Sequence, residues 1–189
     1  MLGLSAAIVS YLVGSFPTAY VIGKYFRNVD LSRNGSGNLG AMNAYEVTGS
    51  KSIGIIVASI DISKGFLVTS LSFWNYGMVA GMIAALFVVV GHNYSLFVRF
   101  KGGRGLATAA GALLVVQPLA VLLYLFIYFL LRAVGLRLYL SSVIGIVLAS
   151  IPLFMKTYPA PFPLILSAGL IAVVLSKHLL PLRTEISNA

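Results

Sequence analysis

Apolar residues run in long blocks along this chain, from Leu2 to Ile22, Ile53 to Phe73, Tyr76 to Val90, Leu106 to Leu131, Ser141 to Met155 and Phe162 to Ser176. Polar, glycine-rich segments separate several of them at Lys24 to Lys51, Gly91 to Gly105 and Arg132 to Leu140, and a polar tail runs from Lys177 to Ala189. Blocks of this length suit helices crossing a hydrocarbon core of about 30 Å at about 1.5 Å per residue. The pattern predicts an all-α integral membrane protein.

The basic residues orient it. Lys24, Arg27, Arg33 and Lys51 lie in the first polar segment and Arg99, Lys101 and Arg104 in the second, whereas the short link from Trp74 to Gly77 carries no charge. Cytoplasmic loops collect Lys and Arg, so the two basic segments belong inside and the N-terminus outside. Arg132, Arg137, Lys177 and Arg183 ask for the same side. The block from Leu106 to Leu131 then begins and ends in the cytoplasm and has to cross twice or dip and return. Gln117-Pro118 divides it, because proline removes a backbone donor and breaks a helix interior. Each half is short, roughly 17 to 20 Å. The prediction is about seven transmembrane helices in a single polytopic domain, residues 1–189, with the C-terminus cytoplasmic. Lys156, beside the turn Tyr158-Pro159-Ala160-Pro161-Phe162-Pro163, is the one basic residue on the opposite side. The first block, Met1 to Ile22, has no basic leader and no small-residue cleavage pattern, and is expected to stay as a helix.

Composition closes off other classes. Of 189 residues 59% are apolar and 9% charged, with mean hydropathy +0.99, so a soluble domain is excluded. The formal charge of +9 arises from 13 basic and 4 acidic residues. Because the cations flank apolar blocks, lipid phosphates and anionic substrates explain them better than nucleic acid does. Without cysteine there is no disulfide or thiolate chemistry, and two histidines among scattered acids give poor support for a metal site.

Two loops carry candidate chemistry. Arg33-Asn34-Gly35-Ser36-Gly37-Asn38-Leu39-Gly40-Ala41-Met42-Asn43 offers glycines, free amides and neutral donors suited to an anion, although the same residues build ordinary turns. Gly91 to Gly105 ends in Lys101-Gly102-Gly103-Arg104 just before a helix start, where amides, a helix dipole and two cations can converge on a phosphate. The bland alternative is a membrane-flanking basic anchor. Within the second block Asp61 and Lys64 stand three residues apart, and a mutual ion pair joining helices is the expectation. His178 opens the tail as a general base, a phosphate donor or an interfacial residue. No aspartate lies five residues after either histidine and no G-x-S-x-G elbow occurs, which argues against a soluble-type acyltransferase dyad and against a serine hydrolase. An anion transporter would need a charge-lined path, and only Asp61 and Lys64 lie deep.

Taken together, Gly14-Ser15-Phe16-Pro17-Thr18-Ala19-Tyr20, the run from Gly35 to Asn43, Asp61-x-x-Lys64-Gly65, Gly91-His92 through Phe100-Lys101-Gly102-Gly103, Ala107-Thr108 and Ser141-Ser142 resemble the bacterial membrane acyl-phosphate:glycerol-3-phosphate acyltransferases over nearly the whole chain. The resemblance implies seven spans and transfer of a fatty acyl group from acyl phosphate to the first hydroxyl of glycerol 3-phosphate, giving lysophosphatidate for phospholipid synthesis. It implies catalytic contacts from Ser36, Lys101, Ser142 and His178. Substrate binding would fall to Gly35, Gly37, Asn38, Asn43, His92, Gly102, Gly103, Arg104 and Arg183, around a small polar cavity on the cytoplasmic side. The helix bundle would hold the acyl tail, with membrane lipid around it in the plasma (inner) membrane, and no cofactor or metal is implied. The chain departs from the family's motifs where Glu46 replaces an arginine, Met42 a threonine, Arg104 a lysine and Pro181 an asparagine. Those departures leave an alternative expectation: a diverged, non-catalytic lipid- or anion-binding membrane protein or subunit.

Overall fold

The computed structural model describes the backbone of residues 2–157 and 160–187, with side chains placed for residues 3–152, 154–155 and 160–179. The side chain of Lys156, the predicted exception, and the Tyr158-Pro159 part of its turn lie outside these. Among the described residues the chain is helical without strands: α1 (Leu2–Ser15), α2 (Thr18–Arg27), α3 (Ala41–Thr48), α4 (Lys51–Asn93), a 3-10 turn (Leu96–Val98), α5 (Leu106–Val116), α6 (Pro118–Ala133), α7 (Leu138–Thr157) and α8 (Pro161–Ser187). Gly3–Arg27, Lys51–Val98 and Pro161–Leu179 are long and apolar enough to cross a membrane, and shorter apolar helices lie at Leu106–Val116, Pro118–Ala133 and Leu138–Pro152.

The predicted breaks have local causes. α4 runs through the second and third apolar blocks but turns at Gly77, whose φ of 81° and ψ of −176° are non-helical and favour glycine. Gln117 leaves the helical region (φ −156°, ψ 72°) and Pro118 starts α6 at its first position, dividing the fourth block where expected. Three elements differ from the sequence reading. The first block does not form one helix, because Pro17 separates α1 from α2. The first polar segment contains α3, capped by Gly49 in the left-handed conformation. The polar tail, to which the sequence reading gave no element, continues α8 as helix to Ser187.

Two apolar cores stabilise this arrangement. The main one packs Val68, Met82, Val88 and Val89 of α4 against Ala109, Ala112 and Val116 of α5, Ile146 of α7 and Leu166, Leu170 and Val174 of α8. α4 and α5 cross closely. A Cβ at Gly65 would lie 2.1 Å from the Thr108 carbonyl oxygen and one at Gly111 would lie 2.0 Å from that of Ile62, so only hydrogen fits at either position. The smaller core gathers Ala19, Ile22, Leu31, Leu39, Ala44, Ile53 and Val57, which pins the segment after α2 and α3 onto the start of α4. Outward faces stay apolar, with Trp74, Leu122, Phe126 and Phe129 all exposed. In water such a surface would aggregate; in lipid it is solvated.

The deep charges are joined as the sequence spacing suggested. Lys64 Nζ lies 2.9 Å from Asp61 Oδ1, which also accepts a hydrogen bond of 2.9 Å from Thr18 Oγ1. Lys64 donates at 3.2 Å to the Phe16 carbonyl, beside the Pro17 break. The pair therefore ties α4 to the junction of α1 and α2.

Candidate active site

The segment between α2 and α3 folds around Asn43. This side chain is 1% exposed; its Oδ1 accepts from Ser36 N (2.8 Å) and Ser36 Oγ (3.1 Å), and its Nδ2 donates to the carbonyls of Leu31 (3.1 Å) and Asn34 (3.2 Å). Gly35 adopts φ 61°, and a Cβ there would fall 2.3 Å from Asn43 Oδ1. Upstream, the Ser32 hydroxyl donates to Asp30 at 2.6 Å and holds that carboxyl below the usual carboxylate range, with the Ser32 amide and Arg33 adding to it. Gly35, Ser36, Gly37 and Asn43 thus build the loop, and Ser36 is exposed on it.

The second loop returns along the end of α4. Gly102 N donates to the Asn93 carbonyl (3.2 Å) and Gly103 N to the His92 carbonyl (3.0 Å). These amides, which the sequence offers to a phosphate, are committed to the protein's own backbone. A Cβ at Gly103 would lie 2.1 Å from His92 Nε2, so the glycine leaves the volume this imidazole fills. Leu39 N reaches the Gly102 carbonyl at 3.5 Å and joins the two loops. Lys101 is exposed.

Beneath the joined loops lies a polar cavity of about 360 Å³, lined by residues of both loops and of α3, α4, α5, α6, α7 and α8. It brings together Asn38, His92, Arg104, Ser142 and His178 of the predicted set. Ser36, Lys101, Gly35, Gly37, Asn43, Gly102 and Gly103 do not line it. The backbone at Arg183 and Pro181 belongs to α8, but their side chains lie outside those described. Arg104 and His178 line this cavity together, while Ser36 and Lys101 stand exposed on their loops.

Four features give the cavity its chemistry. Arg104 is the one Lys or Arg among its described lining residues; its Nη1 donates to Tyr139 Oη at 2.5 Å, and its guanidinium carbon sits 4.7 Å from that ring's centroid. Stacking and hydrogen bonding hold the fork while leaving other donors for a ligand. His178 Nδ1 lies 2.8 Å from the Val174 carbonyl, which can only accept, so Nδ1 carries the proton and Nε2 keeps the lone pair of the neutral ring. Ser142 Oγ pairs with Tyr124 Oη at 3.2 Å. Asp61 reaches the cavity from below, with His92 Nδ1 3.6 Å from its Oδ1.

A second, apolar cavity of about 70 Å³ adjoins the first. Leu106 and Tyr124 line both, and Ala109, Ala110, Leu113, Ile146, Leu170 and Val174 are among the residues that enclose the apolar part. A polar chamber meeting an apolar one suits a reaction whose reactants carry a charged head and a hydrocarbon tail.

Comparison with known proteins agrees with that division. The family model for glycerol-3-phosphate acyltransferase matches residues 4–186. The chain belongs to the glycerol-3-phosphate acyltransferase family. A Moorella thermoacetica protein, glycerol-3-phosphate acyltransferase 2, is 40% identical over 163 residues, covering 86% of this chain and 82% of that protein. The Staphylococcus haemolyticus glycerol-3-phosphate acyltransferase is 40% identical over 147 residues, 73% of this chain and 72% of its own length. Among solved structures, the crystal structure of PlsY (YgiH), an integral membrane glycerol 3-phosphate acyltransferase, in its glycerol 3-phosphate form has a TM-score of 0.88 at 30% identity, covering 98% of this chain and 92% of that one. Its lysophosphatidic acid form has a TM-score of 0.86 at 29% identity. The chain is accordingly an all-α integral membrane acyltransferase.

Tyr124, Tyr128, Tyr139, Asp61, Met42 and Glu46 also face the cavity of this acyltransferase, none of them named as a site residue from sequence. Tyr124 and Tyr128 did carry a signal. They stand four apart in an apolar block, hence on one helical face, and their rings stack at 5.8 Å and 21°. Tyrosine in a membrane protein is commonly assigned to the interfacial belt, which hides such a pair.

Proposed function

We infer that this chain transfers a fatty acyl group to glycerol 3-phosphate inside the polar cavity, as a step of phospholipid synthesis. The observation that carries the reading is the joining of a chamber holding Arg104, Ser142 and His178 to an apolar one through Leu106 and Tyr124. In this reading acyl phosphate is the donor. Its tail lies among the apolar residues and its carbonyl at the seam. The first hydroxyl of the acceptor attacks that carbonyl, the carbon–oxygen bond to phosphate breaks, and inorganic phosphate leaves with lysophosphatidate as product. His178 Nε2 takes the hydroxyl proton, and Arg104 binds the acceptor phosphate with help from Asn38 and His92. Ser142 donates to the oxygen on which charge develops. Lys101 and Ser36, exposed on the loops, serve at the mouth, where a cation draws the anionic acceptor in. The non-catalytic alternative is not favoured by the comparisons.

The same reading places the protein in the plasma membrane with both loops in the cytoplasm, where a phosphorylated acceptor is met. Single cysteines at Ser36 and Asn75 should then react with an impermeant maleimide from opposite sides of the membrane. Labelling from one side would contradict the arrangement.

Glu46 bears on acceptor affinity. It lines the cavity, and no basic side chain lies within ion-pair distance of it among the described residues; Arg33, in the loop before α3, pairs with Asp30 at 3.5 Å. A carboxylate beside a phosphate weakens its binding, and an exposed one does so by about 1 kcal/mol after screening. Glu46→Arg should lower the KM for glycerol 3-phosphate about tenfold at constant kcat. A KM that rises would assign Glu46 a recognition role of its own. The reading as a whole is tested with purified protein given acyl phosphate and glycerol 3-phosphate. Phosphate and lysophosphatidate should appear in equal amounts, and phosphate release without the lipid product would mean hydrolysis instead.

A further inference from the structure

We propose that Tyr124 is a positioning and selectivity residue, whose hydroxyl aligns Ser142 and whose ring forms the partition between the headgroup cavity and the acyl cavity. This rests on the reading above that the acyl tail occupies the apolar cavity.

The ring is fixed from several directions. It belongs to α6 and faces α7, where Gly145 lacks the Cβ that would stand 3.1 Å from Tyr124 Cδ2. Tyr128, one turn further along, stacks on it at 5.8 Å and in turn meets the Phe129 ring edge-on at 5.4 Å. The hydroxyl ends 3.2 Å from Ser142 Oγ, and Ser142 is 2% exposed. No other residue besides Leu106 lines both cavities among the described residues. A donor with its phosphate in one chamber and its tail in the other must thread its carbonyl and first methylenes past this ring. Steric room there controls substitution next to the carbonyl. The hydroxyl acts separately, holding Ser142 in the rotamer it needs.

The two parts of Tyr124 therefore predict two different phenotypes. Tyr124→Phe keeps the partition and removes the hydrogen bond. It should lower kcat roughly five- to tenfold, the effect of about one neutral hydrogen bond, while leaving donor preference unchanged. Tyr124→Ala opens the partition. The ratio of kcat/KM for an acyl phosphate methylated at the carbon next to the carbonyl to that for its straight-chain counterpart should rise by about tenfold or more, the scale of one methyl group in a fitted pocket. Tyr124→Leu, which retains an apolar filling, gives the same readout if the alanine variant does not fold. Ala110→Leu, which narrows the apolar cavity from the α5 side, is measured beside them across straight chains of increasing length. A branched-to-straight ratio that is unchanged in Tyr124→Ala and Tyr124→Leu, with Ala110→Leu altering chain-length preference, overturns the role of Tyr124 and leaves the acyl cavity standing. Chain-length preference unmoved by Ala110→Leu overturns the acyl cavity, and this proposal with it. A donor preference altered by Tyr124→Phe alone would also contradict the separation of ring and hydroxyl.

Discussion

Arg104→Ala should raise the KM for glycerol 3-phosphate about a hundredfold. The guanidinium is the one Lys or Arg side chain among the described lining residues, and its aim is set by Tyr139 through a 2.5 Å hydrogen bond and ring stacking. Hydrogen bonds to charged groups contribute about 1.5 to 3 kcal/mol each, and 3 kcal/mol is about two decades of affinity. Arg104→Lys keeps the charge but loses the fork and the flat stacking face, so its KM should rise about tenfold. Steady-state kinetics with varied acceptor at saturating donor measures both. A fall in kcat with KM unchanged would move Arg104 from acceptor binding to the chemical step.

Asp61→Ala should be the most damaging single change to the fold. Asp61 is 2% and Lys64 7% exposed, and removing the carboxylate leaves an ammonium in the bundle with the Phe16 carbonyl as its remaining hydrogen-bond partner among the described residues. Breaking a buried pair from one side costs about 3 to 5 kcal/mol, and Thr18 Oγ1 loses its acceptor as well. Changing both members, Asp61→Ala with Lys64→Met, removes the stranded charge and should recover most of the loss. Thermal unfolding of the detergent-purified single and double variants tests this. A double variant no more stable than Asp61→Ala would mean that the pair contributes something besides mutual neutralisation.

Much of the architecture is legible from apolar blocks and their interruptions. Pro118 and the uncharged link ending at Gly77 mark breaks because proline lacks a donor and glycine tolerates positive φ, both local properties of one residue. Pro17 carried the same signal, but the apolar residues around it masked the break between α1 and α2. α3 was hidden because its eight residues owe their order to Leu31, Leu39 and Ala44 packing on Ile53 and Val57, contacts between segments that spacing does not reveal. The site follows the same rule. Composition marks the two loops as chemically rich, yet the direction of each polar group is a property of the fold. Asn43 turns inward to brace its loop, Gly102 and Gly103 close onto His92 and Asn93, and Arg104, Ser142 and His178 meet from three separate elements. The tyrosines from α6 and α7 complete the chamber, and no local motif announces them.

The central claim is that the acceptor phosphate binds inside the cavity, beside Arg104. A crystal structure of this protein with glycerol 3-phosphate tests it directly. The predicted result has phosphate oxygens about 3 Å from the Arg104 guanidinium and the first hydroxyl facing Ser142 and His178 Nε2. Phosphate held instead at the exposed Lys101 and Ser36, with the cavity empty, would contradict the account.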